Sequence, residues 1–364
     1  MKLLFKTSPY IRKNVSVSRM MMDVIIALLP VTIFAIIQNK LGAIQVLLIS
    51  ILTMIFFELI SIMLIKWPKG MKFKELFSKE GFKKLKSQYT VNNILAPLIS
   101  GMIFALTLPA YCDWYVVFIG SLFGIIIGKM VFGGLGQNIF NPAATARVFV
   151  AICFGAKINE AYSLQASYDA VASATPLATN ISQSSYSLLD LFFGNVSGSM
   201  GEVSTILILI GAIYLFARRS ADIRAFLGFV LSFMALSFVA VISGFGKSDS
   251  VSMLDTYLYQ IMAGGMLFGA TFMITDPVTS PVTKFGRVLY GAIAGSLVVL
   301  IRISGALPEG VVFSILIVNM LAPTIDYLTR GHKNKYPWQG ILILLGFLVL
   351  MGIIISSKVM GGWF

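Results

Sequence analysis

The sequence predicts an all-α polytopic membrane protein: two inverted five-helix repeats, about ten transmembrane helices, plus an extra C-terminal helix. Three observations predict it. Of 364 residues, 57% are hydrophobic and only 12% charged, whereas a soluble domain carries about 25% charged residues. Eleven apolar runs follow one another, each near the ~20 residues a helix needs to cross hydrocarbon. Elements of the first five runs return five runs later, and an odd offset reverses their orientation in the bilayer.

Residues 1–21 are a basic, polar tail without a small-residue cleavage site, so no removable signal peptide is expected. The first repeat, 22–156, holds apolar runs at 22–39, 44–65, 92–111, 114–132 and 140–156. None alternates with period two, which excludes barrel strands and leaves helices. Between the second and third runs lies "KWPKGMKFKELFSKEGFKKLK" (66–86), with eight lysines. It reads as a solvated face against anionic lipid. The net charge of +13 therefore needs no nucleic-acid partner, and none is expected. Residues 157–202 form the longest loop and are nearly free of basic residues. The second repeat, 203–327, holds runs at 203–217, 225–244, 257–275, 288–303 and 310–327, and 328–364 supplies a linker and an added helix at 340–357.

Lysine and arginine set the orientation. With the N-terminus in the cytoplasm, 21 basic residues fall on the inner segments and four (Lys40, Lys157, Lys247, Lys358) on the outer ones. That bias predicts an N-in topology by the positive-inside rule. The loop 157–202 is then extracytoplasmic. The repeat rests on two matches: "GMIFALTLPA" (101–110) with "GGMLFGATFMITDPV" (264–278), and "NPAATARV" (141–148) with "NMLAPTID" (319–326). That architecture places a functional site near the midplane, where helices break.

Few residues offer chemistry. Cys112, Cys153 and His332 lie apart without metal-ligand spacing, so no metal site is expected. Glu58 in the second run, Arg302 in the ninth and Asp326 in the tenth are charged within apolar sequence, which costs ~2.5–3.5 kcal/mol each at mid-membrane on insertion scales. Arg302 and Asp326 stand near run ends, where snorkelling to the interface explains them equally well. Glu58 is deeper, and on burial cost Glu58 and Asp326 are the candidates for ion coupling. "GGLGQNIFNPAATARVF" (133–149) lets the backbone bend between runs four and five, and exposed N–H groups at a helix start can bind an anion or a ring edge. A tight glycine turn for helix packing is the commoner meaning. "TDPVTSPVT" (275–283) reads as a second broken helix or a stiff loop. "GSMGEVS" (198–204) has capping-box spacing, Ser199 to Glu202, before an apolar run. In "DAVASATPLATN" (169–180), Thr175-Pro176 alone is an ordinary helix start.

These blocks together, with "SPYIRKNVSVSRMMMDVIIALLP" and "PEGVVFSILIVNMLAPTIDYLTR", resemble the RnfD/NqrB family. That family includes the D-type membrane protein of the Rnf electron-transport complex and its relative, the B-type protein of the sodium-pumping NADH:quinone reductase. The likeness runs over most of the chain and is nearer to the D type. It implies that a flavin transferase esterifies FMN phosphate to Thr175 within a motif led by Asp169 and including Ser173 and Ala174. Ala172 and Ser173 depart from the commonest form of that motif, small for small. The resemblance also implies a second, non-covalent flavin such as riboflavin between the broken helices, near Asn138, Asn141 and Thr145. An exposed loop of small residues suits a hydroxyl that has to enter a transferase pocket, and the charge count places it outside independently.

The resemblance implies one component, inactive alone, of a redox-driven translocase in the bacterial cytoplasmic membrane: an ion-translocating ferredoxin:NAD oxidoreductase. Electrons return to NAD through flavins, coupled to export of Na⁺ or H⁺. The implied partners are the FMN-bearing RnfG, the NAD-side RnfC and the membrane proteins RnfA and RnfE. Rival readings are a flavin-free channel or secondary transporter for a small solute, an unmodified scaffold, and the B-type component of the sodium pump.

Overall fold

In hydrocarbon a chain has to satisfy its own backbone, and this one does so locally, as helix. The computed structural model describes residues 16–65, 89–168, 187–196, 198–246, 251–304, 310–329 and 337–361, and among them there are thirteen α-helices and no strand. Six are long and apolar enough to cross a membrane, counting Val17–Ile65 once, and three shorter apolar helices accompany them. The lysine-rich loop 66–86 and most of the N-terminal tail lie outside the described residues.

Helix α1, Val17–Ile65, is two helical arms joined at a kink. A straight helix of that length would reach about 74 Å. Yet Ser18 Oγ donates to Asn92 Oδ1 at 2.6 Å, and Leu59 O accepts from Tyr89 Oη at 2.8 Å. Both ends therefore meet the same short segment, and the chain reverses at Lys40, whose φ of 50° and ψ of −124° leave the helical region. This is the turn the sequence places between runs one and two. Lys40 is not glycine, so the reversal carries backbone strain.

Helices α2 (Asn92–Leu106) and α3 (Trp114–Ile126) pack on the second arm of α1, where Ser50 Oγ donates to Gly101 O at 2.8 Å. Helix α4 (Pro142–Cys153) packs on α3. The run 140–156 yields only this half-span, because the chain bends at Phe154 and continues as α5 (Gly155–Tyr168). The stretch 157–202 is thus not a single loop: α5 and the short α6 (Leu188–Phe193) lie within it. Helices α7 (Thr205–Arg218) and α8 (Ile223–Ile242) follow, then the broken pair α9 (Met253–Met262) and α10 (Met266–Phe272) where one run, 257–275, predicts one helix. Helices α11 (Lys284–Ser304), α12 (Val311–Thr329) and α13 (Pro337–Gly361) complete the described chain. The C-terminal helix packs on α8 and α11, burying Met351 and Ile355, and shows most of its apolar surface.

Small residues let these helices approach. A Cβ on Gly291 of α11 would stand 2.7 Å from the backbone nitrogen of Phe229, and Gly228 and Gly295 are equally confined against backbone across the α8–α11 seam. Membrane helices associate by such close backbone contact. Gly291→Val is expected to cost about 1–3 kcal/mol or more, since backbone cannot yield as a side chain can; thermal unfolding of the detergent-solubilised protein measures it.

The arginine-rich end is held by ion pairs. Asp23, buried on α1, accepts from Ser220 Oγ at 2.5 Å, Arg218 Nε at 3.2 Å and Tyr214 Oη at 3.2 Å. Between α7 and α8, Asp222 pairs with Arg287 and accepts from Arg224 N. Partial burial pushes the Asp222 carboxyl up, but these donors outweigh it and hold it below the ordinary carboxylate range.

Candidate functional site

Helices that stop inside the fold leave backbone groups without partners, and each such group has to be satisfied. At the end of α2, Thr107 O accepts from Arg147 Nε at 2.9 Å, while Gly201 N and Met200 N reach Leu106 O and Leu108 O at 2.7 and 3.1 Å. At the break after α9, Arg302 donates to Gln260 O at 2.7 Å and Ala263 O at 3.2 Å, with its guanidinium 4.9 Å from the Phe233 ring centroid. Ahead of α11, Asp326 accepts from Val282 N at 2.9 Å and Thr283 N at 3.1 Å. Arg302 therefore does not snorkel: it is 8% exposed and turned inward onto broken backbone. Three charges in apolar sequence do one job, stitching unwound segments to neighbouring helices.

Ahead of α4, Gly133, Gly134 and Gly136 have φ of 113°, 89° and 85°, which only glycine adopts without strain. The loop delivers Asn141, whose side chain caps α4 by accepting from Ala143 N at 3.0 Å and Ala144 N at 3.3 Å, with Pro142 in the first turn. This loop, the unwound stretch after α10, α2 and the N-terminal end of α1 enclose a cavity of about 540 Å³. Its wall is mainly apolar, and Lys129, Asn138, Asn141, Thr275 and Asp276 supply polar groups to it. Size and lining are those of a small-molecule or cofactor site.

Behind that wall is an ion pair. Glu58 on the second arm of α1 is 0% exposed, and its Oε2 lies 2.6 Å from Nζ of Lys129, itself 2% exposed. Glu58 Oε1 is buried without a hydrogen-bond partner among the described residues. Lys129 does not figure among the sequence-derived candidates, although a lysine inside the apolar run 114–132 is itself a signal. Asp276, quoted within "TDPVTSPVT", lines the same cavity as Lys129.

The structure brings together only some sequence-derived candidates. Asn138 and Asn141 share the cavity wall; Thr145 does not, and its hydroxyl donates to Asn141 O at 3.0 Å. Glu58 and Asp326 are apart, since Asp326 engages the 282–283 backbone. Asp169, Ser173, Ala174 and Thr175 lie outside the described residues. The helix preceding them is nevertheless firmly seated: Gln165 on α5 accepts from Ala110 N at 3.3 Å and donates to Gly198 O at 3.1 Å, and Tyr162 Oη lies 2.5 Å from Ser199 Oγ. The capping-box reading of 198–204 changes accordingly. Glu202 does accept from Ser199 N at 3.0 Å, but α7 starts at Thr205 with Ser204 as its N-cap, so 199–202 is a separate turn docked on α5 and the end of α2. A true capping box, Ser187 with Asp190, starts α6.

Comparison with known proteins then adds relatives. A model of the NQR2, RnfD, RnfE family matches residues 4–335. The chain is 31% identical over 340 residues to the D subunit of the proton-translocating ferredoxin:NAD(+) oxidoreductase complex of Clostridium ljungdahlii, covering 90% of this chain and 94% of that one. It is 36% identical over 245 residues to the B subunit of the Na(+)-translocating NADH-quinone reductase of Pseudomonas paraeruginosa, covering 65% of this chain and 60% of that one. It is 35% identical over 268 residues to the D subunit of the ion-translocating oxidoreductase complex of Stutzerimonas stutzeri, covering 64% of this chain and 73% of that one. The chain thus spans less than two thirds of the length of the Pseudomonas relative.

Proposed function

Because the chain belongs to the NQR2, RnfD, RnfE family, we propose that it is the D-type membrane component of an ion-translocating oxidoreductase complex, relaying electrons through FMN esterified to Thr175. The observation that carries the D-type reading over the B-type one is coverage: the match to the former takes in 94% of that relative, the match to the latter 60%. In this reading the complex is a ferredoxin:NAD oxidoreductase of the bacterial cytoplasmic membrane that exports Na⁺ or H⁺. Its neighbours are the FMN-bearing, NAD-side and other membrane components, and a flavin transferase modifies the chain.

None of the ordinary side chains carries electrons unaided, whereas a flavin supplies one- and two-electron chemistry once a protein holds it. Asp169, Ser173 and Ala174 form the motif around Thr175. Tyr162 and Gln165 seat α5 firmly just ahead of the motif. For a second, non-covalent flavin, the 540 Å³ cavity offers an apolar wall for a ring and amides at Asn138 and Asn141 for its polar edge. Thr145 supports that site only through the Asn141 carbonyl it binds.

The ten-span inverted repeat belongs to the same proposal. The folding back of α1 supports five spans per half. So does one contact: the Asn319 side-chain amide lies 2.6 Å from Tyr290 Oη and, with the amide oriented to satisfy both, 3.0 Å from Asn141 N. Asn141 and Asn319 head the two matched motifs, and equivalent residues meet at a pseudo-twofold axis. For ion coupling the surroundings support Glu58 more than Asp326, whose carboxylate is occupied by backbone N–H groups.

The test is mass spectrometry of the peptide around position 175, from protein purified in its native host with the transferase present. Added FMN mass is expected. An unmodified peptide would remove the redox reading and leave a solute channel or a scaffold.

A further inference from the structure

We propose that the turn between α7 and α8 binds the phosphodiester headgroup of an anionic membrane lipid, with Arg219 and Arg224 as the groups that hold it. The inference needs only a chain embedded in a bilayer and is independent of the redox reading above.

The balance of charge points there. The turn and the helices beside it bring together Arg218, Arg219, Arg224 and Arg287, but only two carboxylates, Asp23 and Asp222. Asp23 is buried and takes Arg218 at 3.2 Å. Asp222 is shared: Arg287 holds it closely, and Arg224 reaches the same oxygen at 3.4 Å. Arg219 is exposed and has no acidic partner among the described residues. Positive charge is therefore left over for an anion from outside the chain.

Backbone conformation does not explain the arginine. Arg219 is the C-cap of α7 with φ 58° and ψ 30°, a left-handed conformation that glycine adopts freely and arginine does not. The helix dipole does not call for it either, because Arg218 already stands in the last turn. What arginine offers over glycine is the guanidinium, a planar fork of donors that engages phosphate oxygens in pairs. The surroundings favour a lipid over a soluble acidic protein. Ile213 of α7 and Ile223 and Leu227 of α8 are exposed, and α8 is long and apolar enough to cross a membrane, so acyl chains cover that surface. Arginines at the end of such a helix stand at the level of the headgroups, where anionic lipids meet basic pockets between helices.

The experiment uses the complete complex in a neutral detergent, titrated with dioleoylphosphatidylglycerol. Native mass spectrometry of the released chain counts bound lipid and gives an apparent dissociation constant. Saturable binding is expected, with none comparable for dioleoylphosphatidylcholine, which has the same phosphodiester but no net charge. Arg219→Gly relieves the left-handed backbone, so it is expected to fold at least as well as the wild type. It is expected to weaken phosphatidylglycerol binding about fivefold, and together with Arg224→Gln, which leaves Asp222 its Arg287 partner, about twentyfold. Lys40→Gly is the matched control: it removes one exposed charge from the other positive-φ, non-glycine position, at the opposite end of α1's arms, and is expected to change nothing. Affinity unchanged in Arg219→Gly, or lowered equally in Lys40→Gly, overturns the proposal. Inorganic phosphate that displaces the lipid at equal concentration overturns the lipid assignment and leaves a free-anion site. Absence of phosphatidylglycerol binding to the wild type overturns it as well, and leaves the arginines to an acidic protein partner.

Discussion

Thr175→Val is expected to abolish the fluorescent flavin band of the denatured chain, from about one covalent flavin per chain to none, with loss of the electron relay that depends on it. Valine matches threonine in shape and lacks only the hydroxyl, so the position keeps its bulk while the ester has no oxygen to form on. The neighbouring Ser173→Ala removes a different hydroxyl and is expected to leave the band in place. Asp169→Ala is expected to dim it, because the acid leads the motif that the transferase reads. In-gel fluorescence under ultraviolet light, with the transferase co-expressed, separates these outcomes. A band that survives Thr175→Val would show that the flavin is elsewhere or not covalent at this residue.

The second large effect concerns stability. Lys129→Met alone strands the Glu58 carboxylate in a fully buried site and is expected to cost about 3–5 kcal/mol. The double replacement with Glu58→Leu is expected to restore most of that, within about 1 kcal/mol of the wild type or beyond it, because neither desolvation cost remains. Thermal unfolding of the solubilised protein is the measurement. Single and double variants losing stability equally would mean that the surroundings need the charges themselves. This result is independent of transport: the pair can be energetically dispensable and still be required for ion movement.

Much of the fold was legible in the chain. Apolar runs located every long helix, because hydrocarbon demands helical hydrogen bonding of any segment that crosses it. The added C-terminal helix, 340–357 by its apolar run, is helical across Pro337–Gly361. Asn141-Pro142 announced the start of α4, since cap and first-turn chemistry are local. What escaped was decided by partners far along the chain. Run 257–275 reads as one helix, yet it breaks between α9 and α10, where Arg302, about forty residues on, donates to the freed carbonyls. Ser199 and Glu202 have the spacing of a helix cap, but Tyr162 claims the serine hydroxyl and the turn serves to dock α5.

The sequence by itself determined that this is a helical membrane protein and roughly where its helices lie, which follow from composition and period; the flavinylation reading of Thr175 comes from the resemblance to a family and not from those. Only the tertiary structure decided which charge meets which. Glu58 and Lys129 are 71 positions apart and touch at 2.6 Å, and Asp326 is taken up by a distant turn. The physical reason is that a buried charge has to find its partner wherever packing brings one, and no local pattern records that meeting.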